Sequence, residues 1–406
     1  MISSSLSAIS AAWSYLVGTG AAAQAGDRLP LSMDKLFDVL QHADVETFEY
    51  VLSMHADMDL TQCNDEGETL LHVAAADGNR EAIEALLRTG KLDVDVRATR
   101  AGTSAPASTD VTPLILAIKG GHRDAVLALI EAGANINAVT SQQYSVLMLA
   151  VCLNKPDVVD LLLKKGAWVD NVEPPEFTLL SAAARYSSDR VMNALIAANV
   201  GVNATDGEGN SPLMVAARYG TKKMITALVQ AGAKVNATNY AGDTALLIGA
   251  AHGRERAVHA LIAAHAAVNV ANLAGDTALI LASRFDRNAA IQALPKPHDY
   301  DSACVWDALA ADMRLRPQRI VGALICTHAD IHAANHEGEN GVMAAARVGN
   351  TQVAVRLIQA GADIHATDNL GRTAVEYAAA HGHVALAAQL HDLMEQTEPV
   401  APVGIA

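Results

Sequence analysis

The sequence predicts an all-α solenoid of about ten helix–turn–helix repeats with short β-hairpin fingers and an N-terminal cap. Three ladders of residues in one register, most of them with a spacing of 33 residues, predict this fold. The first marks the start of each unit: Thr69, Thr112, Ser145, Thr178, Ser211, Thr244, Thr277, Asn340 and Thr373. The second is polar: Asn137, Asp170, Asn203, Asn236, Asn269, His332 and His365. The third closes a helix: Gly90, Gly133, Gly166, Asn199, Gly232, His265, His328 and Gly361.

The unit over residues 211–243 shows how each repeat is built. Ser211 is a helix N-cap, and Pro212 follows at the first helical position, where its missing N–H costs nothing. Gly220 ends this helix. A second helix follows, with apolar residues at i, i+1, i+4 and i+5 from Met224. Gly232 then stands where a left-handed residue is wanted, so each unit contains two short helices and an extended finger.

This pattern resembles the ankyrin repeat, which has a 33-residue period and the signature Thr-Pro-Leu-His-x-Ala. Residues 69–74, Thr-Leu-Leu-His-Val-Ala, match the signature most closely, and the resemblance covers about nine tenths of the chain. It implies a non-enzymatic scaffold that binds a protein loop or peptide in a concave groove. It also implies a structural role for His72, which links neighbouring loops in the family.

The sequence divides into four parts. Residues 1–32 are expected to be a flexible N-terminal extension. A cleaved secretory signal is the alternative, because Ala23-Gln24-Ala25 resembles a cleavage site, although the required positive charge is absent and serines dilute the apolar run. Residues 33–64 form a capping repeat with a charged outer face, and residues 65–395 form the ankyrin repeats. Residues 396–406 are expected to be a disordered tail.

Two departures from the 33-residue spacing are expected to interrupt the array. The 43 residues between Thr69 and Thr112 include a small, polar insertion loop over residues 97–111. The 63 residues between Thr277 and Asn340 suggest one irregular repeat over residues 295–335, with Asp307 at the signature position. The break at residues 295–301 is expected to bend the solenoid. The role of the 97–111 insertion is left open.

Composition limits the classes of partner. A net charge of −15 opposes general binding to nucleic acid or to an anionic membrane. No uninterrupted run of 18 apolar residues predicts a membrane span. The four cysteines lack paired spacing, which favours a reducing, cytoplasmic location, with secretion or delivery into a host cell as the alternative. We expect a monomer without a cofactor.

No motif in the sequence predicts catalysis or metal binding. Gly-x-Ser-x-Gly, a Walker motif, His-Glu-x-x-His and Cys-x-x-Cys are all absent. His328, His332 and His336 are four residues apart, but the repeat pattern places them on a helix end, a finger and a finger tip. The alternatives are a bacterial effector that targets a host protein, by analogy with ankyrin proteins delivered into host cells, and an enzyme using the 97–111 and 295–301 loops. Neither loop supplies a nucleophile, a base and an electrophilic stabiliser together.

The resemblance does imply a partner-binding surface. It places the seventh and eighth residues after the signature position on the first helix, facing the concave groove. In this chain these positions include Arg185, Tyr186, Arg218, Tyr219, His252, Arg284, Phe285 and Arg347, with Tyr240 and Leu273 at finger tips. Arginine and tyrosine are frequent interface hot spots, so we expect an acidic partner segment with apolar or aromatic residues. The alternative is that the arginine stems only cover alanine-rich helices.

Overall fold

The computed structural model describes residues 32–55, 57–98, 111–169, 178–285 and 315–397. The N-terminal extension up to residue 31, most of the 97–111 insertion and the break at residues 295–301 lie outside these ranges, as do Asp170, Asp307 and residues 398–406. The described residues are helical and contain no regular strand. The predicted β-hairpin fingers are turns, and in this part of the chain isolated antiparallel bridges join Val139 to Ser145, Ala271 to Thr277 and Ala334 to Asn340.

The helices occur in pairs along the chain. Their bounds are α1 Met33–His42, α2 Val45–Met54, α3 Leu70–Asp77, α4 Arg80–Arg88, α5 Pro113–Gly120, α6 Arg123–Glu131, α7 Val146–Cys152, α8 Pro156–Lys164, α9 Leu179–Tyr186, α10 Asp189–Ala197, α11 Pro212–Tyr219, α12 Lys222–Gln230, α13 Ala245–Ala251, α14 Glu255–Ala263, α15 Ala278–Arg284, α16 315–326, α17 Gly341–Arg347, α18 Thr351–Gln359, α19 Ala374–Ala380 and α20 Val384–Gln396. Gln396, expected to begin the tail, is the last residue of α20.

The chain forms two compact units. Unit 1 comprises Met1–Pro174 and Tyr186–Ala194, and unit 2 comprises Pro175–Arg185 and Leu195–Ala406, so the division passes through α9 and α10. In unit 1 the first helices α3, α5 and α7 stack side by side, and the second helices α2, α4, α6 and α8 form the layer behind them. Helix α1 packs on α2 and α3, and Phe48 is buried at that end.

Unit 2 repeats the same arrangement. The first helices α11, α13, α15, α17 and α19 stack in that order, and α20 pairs with α19. Small and branched apolar side chains fill the layer between the helices, and Leu213, Leu246, Leu279 and Val342 are each buried at the same position of successive repeats. Alanines on these first helices allow the close stacking, because they add little volume between the helix axes.

The residues of the first and third ladders have the predicted backbone roles. The side chains of Ser145, Ser211, Thr244, Thr277 and Asn340 each accept a hydrogen bond from the backbone N–H three residues on, as N-caps do. All eight helix-closing residues have positive φ, from +57° at Asn199 to +101° at Gly361. The predicted left-handed helix ends are therefore confirmed, including the three positions without glycine.

The second ladder joins successive repeats. The side-chain oxygens of Asn203, Asn236 and Asn269 accept the backbone N–H groups of Lys234, Ala267 and Asp330 over 2.8–2.9 Å. In unit 1 Asn137 accepts the N–H of Trp168 in the same way. Each bond satisfies a backbone donor of the following repeat, so the asparagines fix the spacing of the stack.

The helices flanking the 63-residue spacing are direct neighbours. Helix α15 packs on α17, and the backbone N–H of His336 donates to the carbonyl of Ala274 over 3.0 Å. Helix α16 occupies the second layer: Arg319 pairs with Glu255 on α14 at 3.2 Å, and Gly322 lies against the guanidinium of Arg356 on α18. One repeat therefore contains both α15 and α16.

This arrangement differs from the separate irregular repeat expected over residues 295–335. The spacing of 63 is one period of 33 with 30 residues inserted between the two helices of the repeat that begins at Thr277. The sequence expectation arose because Ile320, Val321 and Leu324 have the spacing of a second helix, and all three are buried in α16. Their helix follows the insertion and completes the repeat that begins at Thr277, so it does not begin a new repeat.

His72 links two loops, as the resemblance implied. Its Nδ1 accepts the backbone N–H of Thr69 over 3.2 Å, and its Nε2 donates to the carbonyl of Val111 over 3.0 Å. The second bond connects residues 39 positions apart and joins His72 to the last residue of the 97–111 insertion. Burial lowers the pKa of His72, so the ring is neutral and keeps the acceptor that Thr69 needs.

Candidate functional site

A cleft of about 650 Å³ opens in unit 2 between the first helices, including α11 and α13, and the two fingers that precede Ser211 and Thr244. The helical wall presents basic and aromatic side chains, and the finger wall presents carboxylates and amides. The lining residues include Arg185, Met214, Arg218, Tyr219, Ile248 and His252 on the first wall, and Asp206, Glu208, Asn210, Asn239 and Asp243 on the second. Four of the predicted site residues therefore line one cleft.

Tyr219 holds two arginines beside this cleft. The guanidinium carbons of Arg185 and Arg218 each lie 5.0 Å from the centroid of the Tyr219 ring, within the range of a cation–π interaction. Two cations so close to one ring are within about 10 Å of each other by geometry alone. Within the described residues Arg218 makes no ion pair with a carboxylate. Arg218 is therefore positioned to receive an anionic group.

Positive charge extends to the turn between α13 and α14. Burial lowers the pKa of His252, and the charges of Arg218 and Arg254 lower it further, while a hydrogen bond to the Ile248 carbonyl opposes the shift. Burial also lowers the pKa of Arg254, with smaller contributions from the like charges of Arg316 and Arg218. His252 is therefore neutral at pH 7, and the arginines supply the positive charge of this wall.

Two further arginines of the predicted site have carboxylate partners within the protein. Arg284 donates to both oxygens of Asp276 over 3.0 and 3.1 Å and to Glu339 over 2.7 Å. Arg347 pairs with the same Glu339 oxygen at 3.2 Å. Burial alone would lower the pKa of Arg284, but the charges of Glu339 and Asp276 raise it overall. Arg284 and Arg347 are thus neutralised, and they differ in this respect from Arg218.

The charged residues in the repeat that follows Arg347 also pair with one another. Its guanidinium carbon lies 5.3 Å from the Tyr377 ring centroid, and the Tyr377 hydroxyl donates to Asp368 over 2.9 Å. Arg372 pairs with the same carboxylate at 2.7 Å. This end of the first-helix surface therefore contains arginines, carboxylates and a tyrosine that bind one another.

The remaining predicted residues occupy three different environments. Tyr186 belongs to unit 1 and does not line the cleft. Phe285 packs on Gly253, where an added Cβ would lie 2.7 Å from the ring. Tyr240 and Leu273 are 75% and 72% exposed at finger tips, each seated against a glycine of the preceding finger. The cleft thus contains only part of the predicted set.

Sequence reasoning missed the residue that precedes each signature position. In the fingers of unit 2 these residues are Asn210, Asp243, Asp276, Glu339 and Arg372. Two of them, Asp276 and Glu339, neutralise arginines, and Glu339 is completely buried. An acidic residue before the signature position, together with an arginine seven positions after it, predicts an ion pair. This rule would have distinguished Arg284 and Arg347, which have acidic partners, from Arg218.

The described ranges contain no group of three or more His, Cys, Asp or Glu side chains arranged to hold a metal ion. In the same ranges, every helix is too short or too polar to cross a membrane.

The family described as ankyrin repeats (3 copies) matches residues 36–140, 101–173, 147–239, 179–272 and 309–397, together more than half of the 406-residue chain. The protein belongs to the ankyrin repeat family. Ankyrin repeats are in general protein-interaction modules. No curated protein matches the chain.

Solved structures that match part of the chain include the human ASB11 ankyrin repeat domain. It has 27% sequence identity and a TM-score of 0.46, and the match covers 59% of this chain and 98% of that one. A chain from the structure of the predatory endopeptidase Bd0816 of Bdellovibrio bacteriovorus in complex with immunity protein Bd3460 has 28% identity and a TM-score of 0.42. That match covers 48% of this chain and 96% of the other.

Proposed function

We propose that this chain is a non-enzymatic scaffold, monomeric and without a cofactor, that holds an acidic loop or peptide of a protein partner in the cleft of unit 2. The observation that carries the proposal is the pair of arginines, Arg185 and Arg218, held over the Tyr219 ring beside that cleft. The membership of the ankyrin family supports a protein as the partner.

The chemistry of the two walls supports an extended acidic segment. A guanidinium binds a carboxylate through two parallel N–H donors, which fixes direction as well as charge. Held against a ring, the arginine side chain loses less conformational freedom when the partner binds. The opposite wall carries Asp206, Glu208 and Asp243, which repel carboxylates and so orient the acidic side chains towards the helices.

A peptide selection tests the proposal without a known partner. Random 12-residue peptides displayed on phage would be selected on the wild-type protein and on an Arg185→Ala/Arg218→Ala variant. We expect the wild type to enrich Asp and Glu together with an apolar or aromatic residue, and the variant to lose the acidic enrichment. Equal acidic enrichment on both proteins, or none on the wild type, would contradict the proposal. A duplex DNA arm titrated with salt would detect a nucleic-acid binder instead.

A further inference from the structure

The charge of the residue before a signature position correlates with whether the arginine eight positions later forms an ion pair with a carboxylate. Arg284 follows Asp276 and is bound by both of its carboxylate oxygens. Arg347 follows Glu339 and pairs with it at 3.2 Å. Arg218 follows Asn210, which has no charge, and within the described residues no carboxylate pairs with Arg218. The charge at this one position therefore coincides with whether the arginine is neutralised.

Asn210 keeps the hydrogen bond that its acidic counterparts make. Its side-chain oxygen accepts from the amide of Asn239 over 2.9 Å, as Asp243 accepts from Asn272 over 2.8 Å. The contact between neighbouring fingers thus forms with either an amide or a carboxylate. The stack does not require a neutral residue at position 210, so the contact between fingers does not explain why this residue is uncharged.

The acidic residue of this finger stands on the other side of the turn from those of the neighbouring fingers. Neighbouring fingers place asparagine first and the acid four residues later: Asn239 and Asp243, Asn272 and Asp276, Asn335 and Glu339. In the finger before Ser211 the order is reversed, with Asp206 first and Asn210 second. The Asp206 carboxylate accepts the N–H groups of Glu208 and Asn210 and the Asn210 amide, so it is bound by its own turn.

Asp243 does not take the place of the missing carboxylate. It lines the same cleft, but its side chain accepts from Asn272 and forms no ion pair with Arg218. The residue eight positions after Asp243 is Ala251, so its own repeat contains no arginine to neutralise. Within the described residues the guanidinium of Arg218 therefore lines the cleft and lies over the Tyr219 ring without a carboxylate partner.

We propose that Asn210 is the specificity-determining residue of this cleft. Because it is neutral, a carboxylate of the partner binds Arg218 in the way that the Asp276 carboxylate binds Arg284. The partner supplies the negative charge to Arg218. In the fingers before Thr277 and Asn340, Asp276 and Glu339 supply that charge to Arg284 and Arg347. This inference rests on the proposed function, since it assumes that an acidic protein segment occupies the cleft.

Exchanging the two finger residues tests the inference at constant net charge. The Asp206→Asn/Asn210→Asp variant gives this finger the order of its neighbours and places a carboxylate next to Arg218. An Asn210→Ala variant removes the finger hydrogen bond without adding charge. The probe is an acidic peptide enriched by the wild-type protein, labelled with fluorescein and titrated by anisotropy, with circular dichroism confirming the fold of each variant.

We expect the exchange to weaken binding of the acidic peptide by at least about tenfold, because an internal carboxylate competes for Arg218. Asn210→Ala should weaken binding less than the exchange does, because it adds no carboxylate to compete for Arg218. Unchanged binding by the exchange variant would overturn the inference, as would equal losses in both variants, which would assign the effect to the hydrogen bond. If Arg218→Ala weakens binding while the exchange does not, the cleft remains the site and only the role of Asn210 fails. If selection yields no acidic peptide, the proposed function fails as well.

Discussion

The side-chain amide of Asn335 donates to the Asp276 carboxylate over 3.0 Å, although 59 residues separate the two positions in sequence. Asn272 makes the same contact with Asp243, and these residues are only 29 positions apart. The two contacts show that the finger containing Asn335 stacks directly on the finger containing Asp276. The 30 additional residues therefore do not interrupt the stack of first helices.

A double-mutant cycle tests this adjacency. Asn335→Ala, Asp276→Ala and the double variant would be unfolded in urea. We expect a coupling free energy of about 1–2 kcal/mol, because the bond is buried and one partner is charged. The Asn272/Asp243 cycle is the matched reference. A coupling near zero for Asn335 and Asp276 beside a positive value for the reference would show that the two fingers are not neighbours.

The left-handed residue at a helix end gives a second prediction. Gly232 has a φ of +91°, and a Cβ added there would meet no atom within 4 Å. Gly232→Val should therefore destabilise the protein by about 1–2 kcal/mol through backbone strain alone. Gly232→Asn should cost less, since Asn199 holds the equivalent position at +57°. Equal urea midpoints for Gly232→Val and wild type would contradict the assignment.

His72 predicts a dependence of stability on pH. Its pKa is lowered from the ordinary 6.5 by burial, so the unfolded state binds a proton more readily than the folded state. Above the pKa of the unfolded state, His72 has no effect on how stability changes with pH. As the pH falls below about 6.5, protonation favours the unfolded state, and the free energy of unfolding decreases. Unfolding free energies of wild type and His72→Gln, measured in urea from pH 8 to pH 5, should diverge, with wild type losing more. Parallel curves would contradict the buried neutral ring.

The helix ends and caps were predictable because they depend on local sequence. The eight helix-closing residues could be chosen from a period and a short list of residues that tolerate positive φ, and Asn199, His265 and His328 were found with the glycines. The position of α16 was not predictable in this way. A helix of Ile320, Val321 and Leu324 has the same apolar spacing whether it completes one repeat or begins another. Contacts between repeats, such as those of Arg319 with Glu255 and of Asn335 with Asp276, distinguish the two.

The candidate site was predictable in position but not in charge state. The repeat period identified Arg218, Arg284 and Arg347 as equivalent residues, and they do occupy equivalent helix positions. The ion pairs of these arginines depend on residues elsewhere in the sequence. Arg284, for example, binds Asp276, which is 8 residues before it, and Glu339, which is 55 residues after it. Periodicity alone treats the three arginines alike, whereas Coulomb attraction between neighbouring repeats separates them.

The most direct test of the proposed binding cleft uses the Arg218→Ala/Tyr219→Ala variant. This change removes one guanidinium and the ring that holds Arg185. Because the altered side chains lie at the surface, folding should change by less than about 0.5 kcal/mol for each position. Arg256→Ala, on the exposed side of α14, is the control for loss of positive charge.

Isothermal titration calorimetry would measure the affinity of the selected acidic peptide, or of an identified partner, for wild type and both variants. We predict a loss of about 2–4 kcal/mol of binding free energy for Arg218→Ala/Tyr219→Ala and almost none for Arg256→Ala. Unchanged affinity in the double variant, with its fold confirmed by circular dichroism, would contradict the proposal that this cleft binds the partner.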